Sequence, residues 1–185
     1  MDIKLLPADL IFCHGDAWLS KAIRWFERGA GEDESYANHT AIVGFENDVI
    51  EALVHVVETP FDEWVKANSD FKVYRCTTLT DEDRVIVAEY AEGLVGKNYG
   101  FLKLIPHALD GFLQKVLGGQ IYLFRRLCLL ENYPNCSWAA GWSYLQIMME
   151  LGAPARYADP DTQEDYVKIH KDWELFYQLP EEDGP

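Results

Sequence analysis

The stretch from His39 to His55, HTAIVGFENDVIEALVH, holds two short apolar runs separated by a polar triplet at 46–48. Apolar runs of strand length on both sides of a turn-forming triplet are typical of a β-hairpin. The sequence therefore predicts one strand over 39–45 and a returning strand over 49–55. A turn at 46–48 places Glu51 opposite Val43, on the face that carries His39.

Further elements are predicted on both sides of this hairpin. Short apolar runs predict strands at 9–13, 71–76 and 173–178, and an amphipathic pattern predicts a helix at 18–28. Capping patterns predict three more helices. Their expected N-caps are Thr59, Thr80 and Asn135. The helix after Thr80 is expected to end at a C-cap at Gly96, and the helix after Asn135 to run from 136 to about 151.

Composition restricts the class of protein. The chain has 185 residues, 49% of them apolar, which is enough for the core of one domain over 1–185. Its formal net charge is −15, from 16 basic and 31 acidic residues. A surface that follows phosphates would have to form against this negative field, so a nucleic-acid partner is not expected.

The N-terminus and the cysteines indicate the compartment. No charged-then-apolar leader and no long uncharged apolar run occur, so we expect a cytoplasmic protein. The four cysteines are widely spaced, which favours reduced thiols. The conceivable metal ligands lack HExxH, CxxC and HxH spacings, so neither a metal nor a cofactor is expected. These conceivable ligands are Cys13, His14, His39 and Cys136.

Cys136 is the cysteine with the strongest chemical signal. A thiol attacks as the thiolate, which helix N-terminal amides and a neighbouring imidazolium stabilise. Cys136 follows the expected N-cap Asn135, whereas a buried inert cysteine is the alternative. His39 is the candidate base and Glu51 its orienting carboxylate, and ordinary structural roles stay open for both. His55, opposite His39 in the expected register, competes with Glu51 as the orienting group.

Residues 101–130 differ from the rest of the chain. The segment is strongly apolar and carries four basic residues against the single acid Asp110. Pro106 and the Gly118–Gly119 pair divide it, which predicts two helices. Peripheral contact with a membrane is one interpretation, and a pair of core or lid helices is the other.

The short motifs around these elements, taken in order, resemble one enzyme family. They are DLIF at 9–12, HTAIV at 39–43, VIEA at 49–52, GKNY at 96–99 and NCS at 135–137. Together they are similar to the circularly permuted NlpC-type papain-like cysteine hydrolases, the YiiX-like group related to lecithin:retinol acyltransferase. This resemblance implies an α+β fold in which a small antiparallel sheet packs on the helix that bears the cysteine, with 101–130 as a hydrophobic helical insertion.

The resemblance also implies roles for individual residues. Cys136 matches the nucleophile, His39 the base and Glu51 the residue that orients the imidazole. Tyr99 matches a tyrosine that lines the site, and Ser137 and Trp138 follow the nucleophile as substrate-binding candidates. Two positions depart from the family: Ala8 stands where it usually has glycine, and Trp138 where permuted members commonly have glutamate.

We therefore expect a thiol hydrolase or acyltransferase that forms an acyl-enzyme on a Cys-His-Glu triad. The resemblance implies a small peptide, another amide or a lipid ester as substrate. The alternative is a catalytically silent papain-like module that binds a lipid, a peptide or a partner protein in the same cleft.

Overall fold

The computed structural model describes residues 3–14, 36–98, 135–155 and 158–178, with short helical pieces at 109–110, 112–113, 116–117 and 123–124. Within these ranges six strands form one antiparallel sheet. They are β1 (Leu10–Cys13), β2 (His39–Val43), β3 (Asp48–Ala52), β4 (Val56–Pro60), β5 (Phe71–Cys76) and β6 (Trp173–Gln178). Their order across the sheet is β4-β3-β2-β1-β5-β6. The helix predicted at 18–28 lies outside the described residues.

Four helices of seven or more residues pack against this sheet in the described ranges. They are α1 (Phe61–Ala67), α2 (Asp81–Glu92), α3 (Cys136–Leu145) and α4 (Pro160–Ile169). The predicted N-caps of α2 and α3 are confirmed: Thr80 forms a full capping box, and the Asn135 side chain accepts from the Trp138 amide. The cap of α1 is Pro60, one residue later than predicted.

Helices α2 and α3 both end earlier than the sequence indicated. The C-cap of α2 is Gly93, and Gly96 lies in the turns beyond it at φ +84°. The chain leaves α3 at Leu145 because the next residues form a turn in which Met148 adopts φ +60°. The fourth helix was not predicted, although an N-cap Asp159 before a first-turn Pro160 is a recognised start signal.

The hairpin exists, but the predicted register is wrong by two residues. Ala41 lies opposite Glu51, and Val43 opposite Val49. The turn comprises 45–47 instead of 46–48, because Asp48 begins β3 and its carbonyl accepts from the Gly44 amide at 2.8 Å. Moving a turn by one residue moves every facing pair by two, so Glu51 comes two positions nearer to His39 while staying on its face.

The predicted returning strand is also too long. It ends at Ala52, residues 53–55 form an exposed turn, and β4 begins at Val56. No described helix is long and apolar enough to cross a membrane.

Apolar side chains cover both faces of the sheet. Even-numbered positions of β1 to β3 face α2 and α3, and odd-numbered positions face α1. Helix α3 packs against β2 and α2, and its first residue, Cys136, lies close to His39 and Thr40 at the start of β2. The α3 side of the core includes Leu10, Phe12, Ile42, Ile50, Trp138 and Tyr144, and the α1 side includes Ile11, Val43, Val49, Phe61, Trp64 and Phe71.

Candidate active site

His39 is the first residue of β2, at the end of the sheet where α3 begins. Its direct neighbour across the ladder is Cys13, the last residue of β1. The first residue of a strand has a neighbour from its own strand on one side only, so its side chain can extend beyond the end of the sheet. In this position the His39 ring is about one-fifth exposed.

Glu51 holds one side of the His39 ring. The Nε2 atom of His39 lies 2.8 Å from Glu51 Oε2. The corrected register makes this contact feasible, because diagonal neighbours on one sheet face are about 7–8 Å apart between Cα atoms. The other carboxylate oxygen, Oε1, accepts a hydrogen bond of 3.1 Å from Trp64 Nε1 on α1. The carboxylate is therefore bonded on both oxygens and fixed in orientation.

Cys136 is the first residue of α3, and its side chain is nearly buried. At this position the helix supplies amides without an intrahelical acceptor. The Cys136 sulfur lies close enough to His39 and to the backbone of Thr40 and Ser137 for these groups to lower its pKa. Because Glu51 occupies Nε2, the remaining ring nitrogen Nδ1 is left for the thiol.

The electrostatics favour an ion pair between Cys136 and His39. Burial opposes ionisation of Cys136, but the hydrogen bond and charge of His39, with the amides of Thr40 and Ser137, lower its pKa below the ordinary value. Burial also lowers the pKa of His39, yet its bonds to Cys136 and Glu51 and their negative charges outweigh this and raise the pKa to about 10. Thiolate and imidazolium are thus the favoured pair between the lowered pKa of Cys136 and about pH 10.

Cys13 shows the opposite behaviour in the same environment. Burial, followed by the negative charges of Glu51, Cys136 and Asp70, raises the pKa of Cys13 well above its usual value. It therefore stays a neutral thiol while Cys136 ionises. Cys76 is buried beside Thr78, with its sulfur 3.4 Å from the Thr78 hydroxyl, and Cys128 lies outside the described residues.

The other candidate residues have different surroundings. Ser137 is buried, and its hydroxyl donates to the Ala158 carbonyl at 2.8 Å. Trp138 belongs to the core, with its ring 5.6 Å from that of Trp142. His55 is exposed in the turn after β3, and the corrected register no longer places it opposite His39. Tyr99 lies outside the described residues.

Three contributors to this site were not found from the sequence. Trp64 anchors the orienting carboxylate, and the amide of Thr40 faces the nucleophile. Cys13 lies beside the base. Each of these residues reaches the site through a contact that forms only when the chain folds. The one sequence signal for any of them was the position of Thr40 directly after His39.

Comparison with known proteins identifies the family. A family model described as a permuted papain-like amidase enzyme, the YaeF/YiiX, C92 family, matches residues 5–104, more than half of the chain. This chain belongs to the permuted papain-like amidase family. The matched segment includes His39 and Glu51, and Cys136 lies beyond it.

A solved structure supports the fold independently. The crystal structure of the metalloprotein YiiX from Escherichia coli O157:H7 matches with a TM-score of 0.58 and 21% identity, over 82% of this chain and 71% of that one. Among curated proteins there is no match. The described part of the present chain contains no group of three or more His, Cys, Asp or Glu side chains arranged to hold a metal ion. The permuted papain-like fold predicted from the motifs is confirmed.

Proposed function

We propose that this member of the amidase family is a cysteine hydrolase that cleaves an amide through an acyl-enzyme, with Cys136 as nucleophile, His39 as acid and base, and Glu51 as the orienting carboxylate. One observation carries the proposal. The His39 ring contacts the Cys136 sulfur on one side and Glu51 on the other, 2.8 Å away. This is the nucleophile–base–orienter arrangement that thiol acyl transfer requires.

The chemistry follows from the favoured ion pair. The Cys136 thiolate attacks the carbonyl carbon of the amide, and the electron pair of the C=O bond moves onto oxygen. The Cys136 amide at the start of α3 is available to donate to this oxyanion. The imidazolium of His39 then protonates the leaving amine as the C–N bond breaks.

The second half of the reaction uses the same base. After the amine leaves, neutral His39 takes a proton from water, and the hydroxide attacks the thioester carbonyl. Collapse of the second tetrahedral intermediate breaks the C–S bond, releases the carboxylic acid and returns the electron pair to Cys136 sulfur, while His39 keeps the proton that it took from water, so the ion pair is restored. Glu51 keeps the ring in the tautomer that presents Nδ1 to sulfur and stabilises its charge.

The first experiment tests whether Cys136 is an activated thiol. Folded protein is treated with iodoacetamide at about pH 6, and each cysteine is quantified by peptide mapping. We expect Cys136 to react at least about tenfold faster than Cys13 and Cys76, because the pKa of Cys136 is lowered, that of Cys13 is raised, and Cys76 is fully buried. Cys76→Ala is the matched control and should leave this labelling unchanged. Equal, slow labelling of all described thiols would favour the silent binding module.

The same protein can be tested for acyl transfer. p-Nitrophenyl acetate should release nitrophenolate in a burst and leave an acetyl group on Cys136. Cys136→Ala should lose at least about 10³-fold in turnover while keeping its thermal unfolding midpoint, because the thiol is used for chemistry. Full activity of that variant would exclude the mechanism.

A lipid ester is the second candidate substrate. Five large apolar side chains in the described pieces of 101–130 are exposed, each by more than two-fifths. They are Leu109, Phe112, Val116, Leu117 and Leu123. Exposed apolar side chains in a basic segment are typical of peripheral lipid contact. The test is flotation with phosphatidylglycerol vesicles. Binding that weakens as salt increases supports a lipid ester, and absence of binding at low salt favours an amide substrate instead.

A further inference from the structure

Gln163 on α4 reaches the first turn of the helix that carries the nucleophile. Its side chain is completely buried, and its Nε2 atom donates to the Ser137 carbonyl at 2.9 Å. Its Oε1 atom has no hydrogen-bond partner in the described structure. A buried amide with only one side bonded is costly, so the bond to Ser137 is the contact that accounts for glutamine at this position.

Ser137 is held at a second point by the residues that precede α4. Its hydroxyl donates to the Ala158 carbonyl at 2.8 Å. Carbonyl and hydroxyl of Ser137 are thus both tied to the 158–163 segment. Neither bond uses the Ser137 amide, which faces the Cys136 sulfur. The orientation of this amide therefore depends on contacts that come from outside α3.

The two segments also approach closely one turn further along α3. A Cβ atom at Gly141 would lie 3.0 Å from Cα and Cβ of Ala155, and 3.5 Å from Gln163 Nε2. A real side chain there would push the segments apart. Ser137 and Gly141 are four residues apart, so they lie on one face of α3, and this face packs on Ala155, Ala158 and Gln163.

From these contacts we infer that Gln163 is a positioning residue for the nucleophile: its bond to the Ser137 carbonyl holds the first turn of α3 so that the Ser137 amide faces the Cys136 sulfur. The inference rests on the proposed role of Cys136. Gln163 does not touch the reacting atoms and acts through Ser137. It lies beyond the residues that the family model matches.

Two substitutions separate this role from simple packing. Gln163→Met keeps the volume and removes the donor. Gln163→Glu keeps the shape, but its carboxyl group donates to the Ser137 carbonyl only when protonated, and burial favours that form at low pH. Asp165→Asn is the control, because it changes an exposed side chain on the same helix.

The measurement is the rate of iodoacetamide labelling at Cys136 between about pH 5 and pH 9, on full-length protein. For Gln163→Met we expect about a fivefold to tenfold slower reaction near neutrality, with the acid limb of the profile moved to higher pH. For Gln163→Glu the deficit should be small at about pH 5 and should grow as the new carboxyl group ionises. Asp165→Asn should follow the wild type.

The results distinguish this inference from the proposed function. If wild-type Cys136 reacts no faster than Cys13 and Cys76, the proposed function fails. If wild-type Cys136 is selectively reactive but both Gln163 variants keep its pH profile, the positioning role is excluded, even where the thermal midpoint falls. A deficit that grows with pH in Gln163→Glu, beside one in Gln163→Met that does not grow with pH, supports the role, because a loss of packing alone gives no such difference between the two variants.

Discussion

Glu51 and Asp9 are both carboxylates buried in the sheet region, and their partners differ in kind. Asp9, just before β1, receives Arg75 Nε and Nη2 at 3.0 and 2.6 Å and lies 3.4 Å from Arg84 Nη1. Glu51, near the opposite end of the sheet, receives an imidazole and an indole N–H. One carboxylate faces two permanent cations, and the other faces a group that can gain or lose a proton.

This difference separates a structural cluster from a chemical one. Guanidinium groups are permanent cations that donate in a fixed fork geometry, so the two arginines hold Asp9 in place and the cluster fixes geometry. Arg84 also donates to the carbonyls of Pro7 and Cys76, which ties the N-terminal segment to the end of β5. The Glu51 pair can pass a proton, because His39 titrates. Buried carboxylates therefore differ in function through their partners, not through burial.

The largest effect is expected from Asp9→Asn. Loss of the charge leaves two largely buried guanidinium groups uncompensated, so the free energy of unfolding should fall by about 3–5 kcal/mol. Urea unfolding measures it, with Asp62→Asn as an exposed control. Iodoacetamide labelling of Cys136 in the folded fraction should stay within about twofold of wild type. A stable variant with a slow Cys136 would contradict the division between the two clusters.

Glu51→Gln should have a smaller effect on stability and a clear one on chemistry. The raised pKa of His39, about 10, depends partly on the Glu51 charge, so its loss lowers that pKa and leaves less imidazolium to stabilise the thiolate. We expect turnover of p-nitrophenyl acetate to fall about 10- to 100-fold, less than for His39→Ala.

The pH profile gives the sign of the Glu51 effect. In the wild type the ion pair extends from the lowered pKa of Cys136 up to about pH 10, where His39 loses its proton. In Glu51→Gln the acid limb of Cys136 labelling should move to higher pH. The upper pH limit of the ion pair, set by the pKa of His39, should move to lower pH. Glu58→Gln, on the neighbouring strand β4, removes the same charge from an exposed position and should leave the profile unchanged. A shift in both variants would mean that general charge, and not this contact, sets the profile.

Local sequence signals predicted the strands and helices that position the site, but they did not predict how the strands pair. The Asn135 cap was readable because a side-chain oxygen before a helix has a local function. The register of the β2–β3 hairpin was not, because the turn uses left-handed backbone at Glu46 and Asn47, which the residue types do not demand. The consequence was a Glu51 position two residues too far from His39.

The residues around the triad show the same division. Cys136, His39 and Glu51 were named from chemical type and motif order. Trp64 and Gln163 were not, because their roles depend on long-range contacts: each is a common core or helix residue until the fold brings it to Glu51 or Ser137. Helix α4 was missed altogether, and with it the support of the nucleophile's first turn.

The smallest effect is expected at Ala8, next to Asp9. Ala8 adopts φ +69°, a conformation that favours glycine, and its carbonyl accepts from the Tyr144 hydroxyl. Ala8→Gly relieves backbone strain but removes a fully buried methyl group, so the free energy of unfolding should change by less than about 1 kcal/mol. Ala88→Gly removes an equally buried methyl group from the middle of α2, where no strain is relieved, and should cost about 2 kcal/mol. Urea unfolding of both variants gives the comparison. Equal losses would mean that the contacts around Asp9 and Tyr144 hold Ala8 in this conformation without measurable strain.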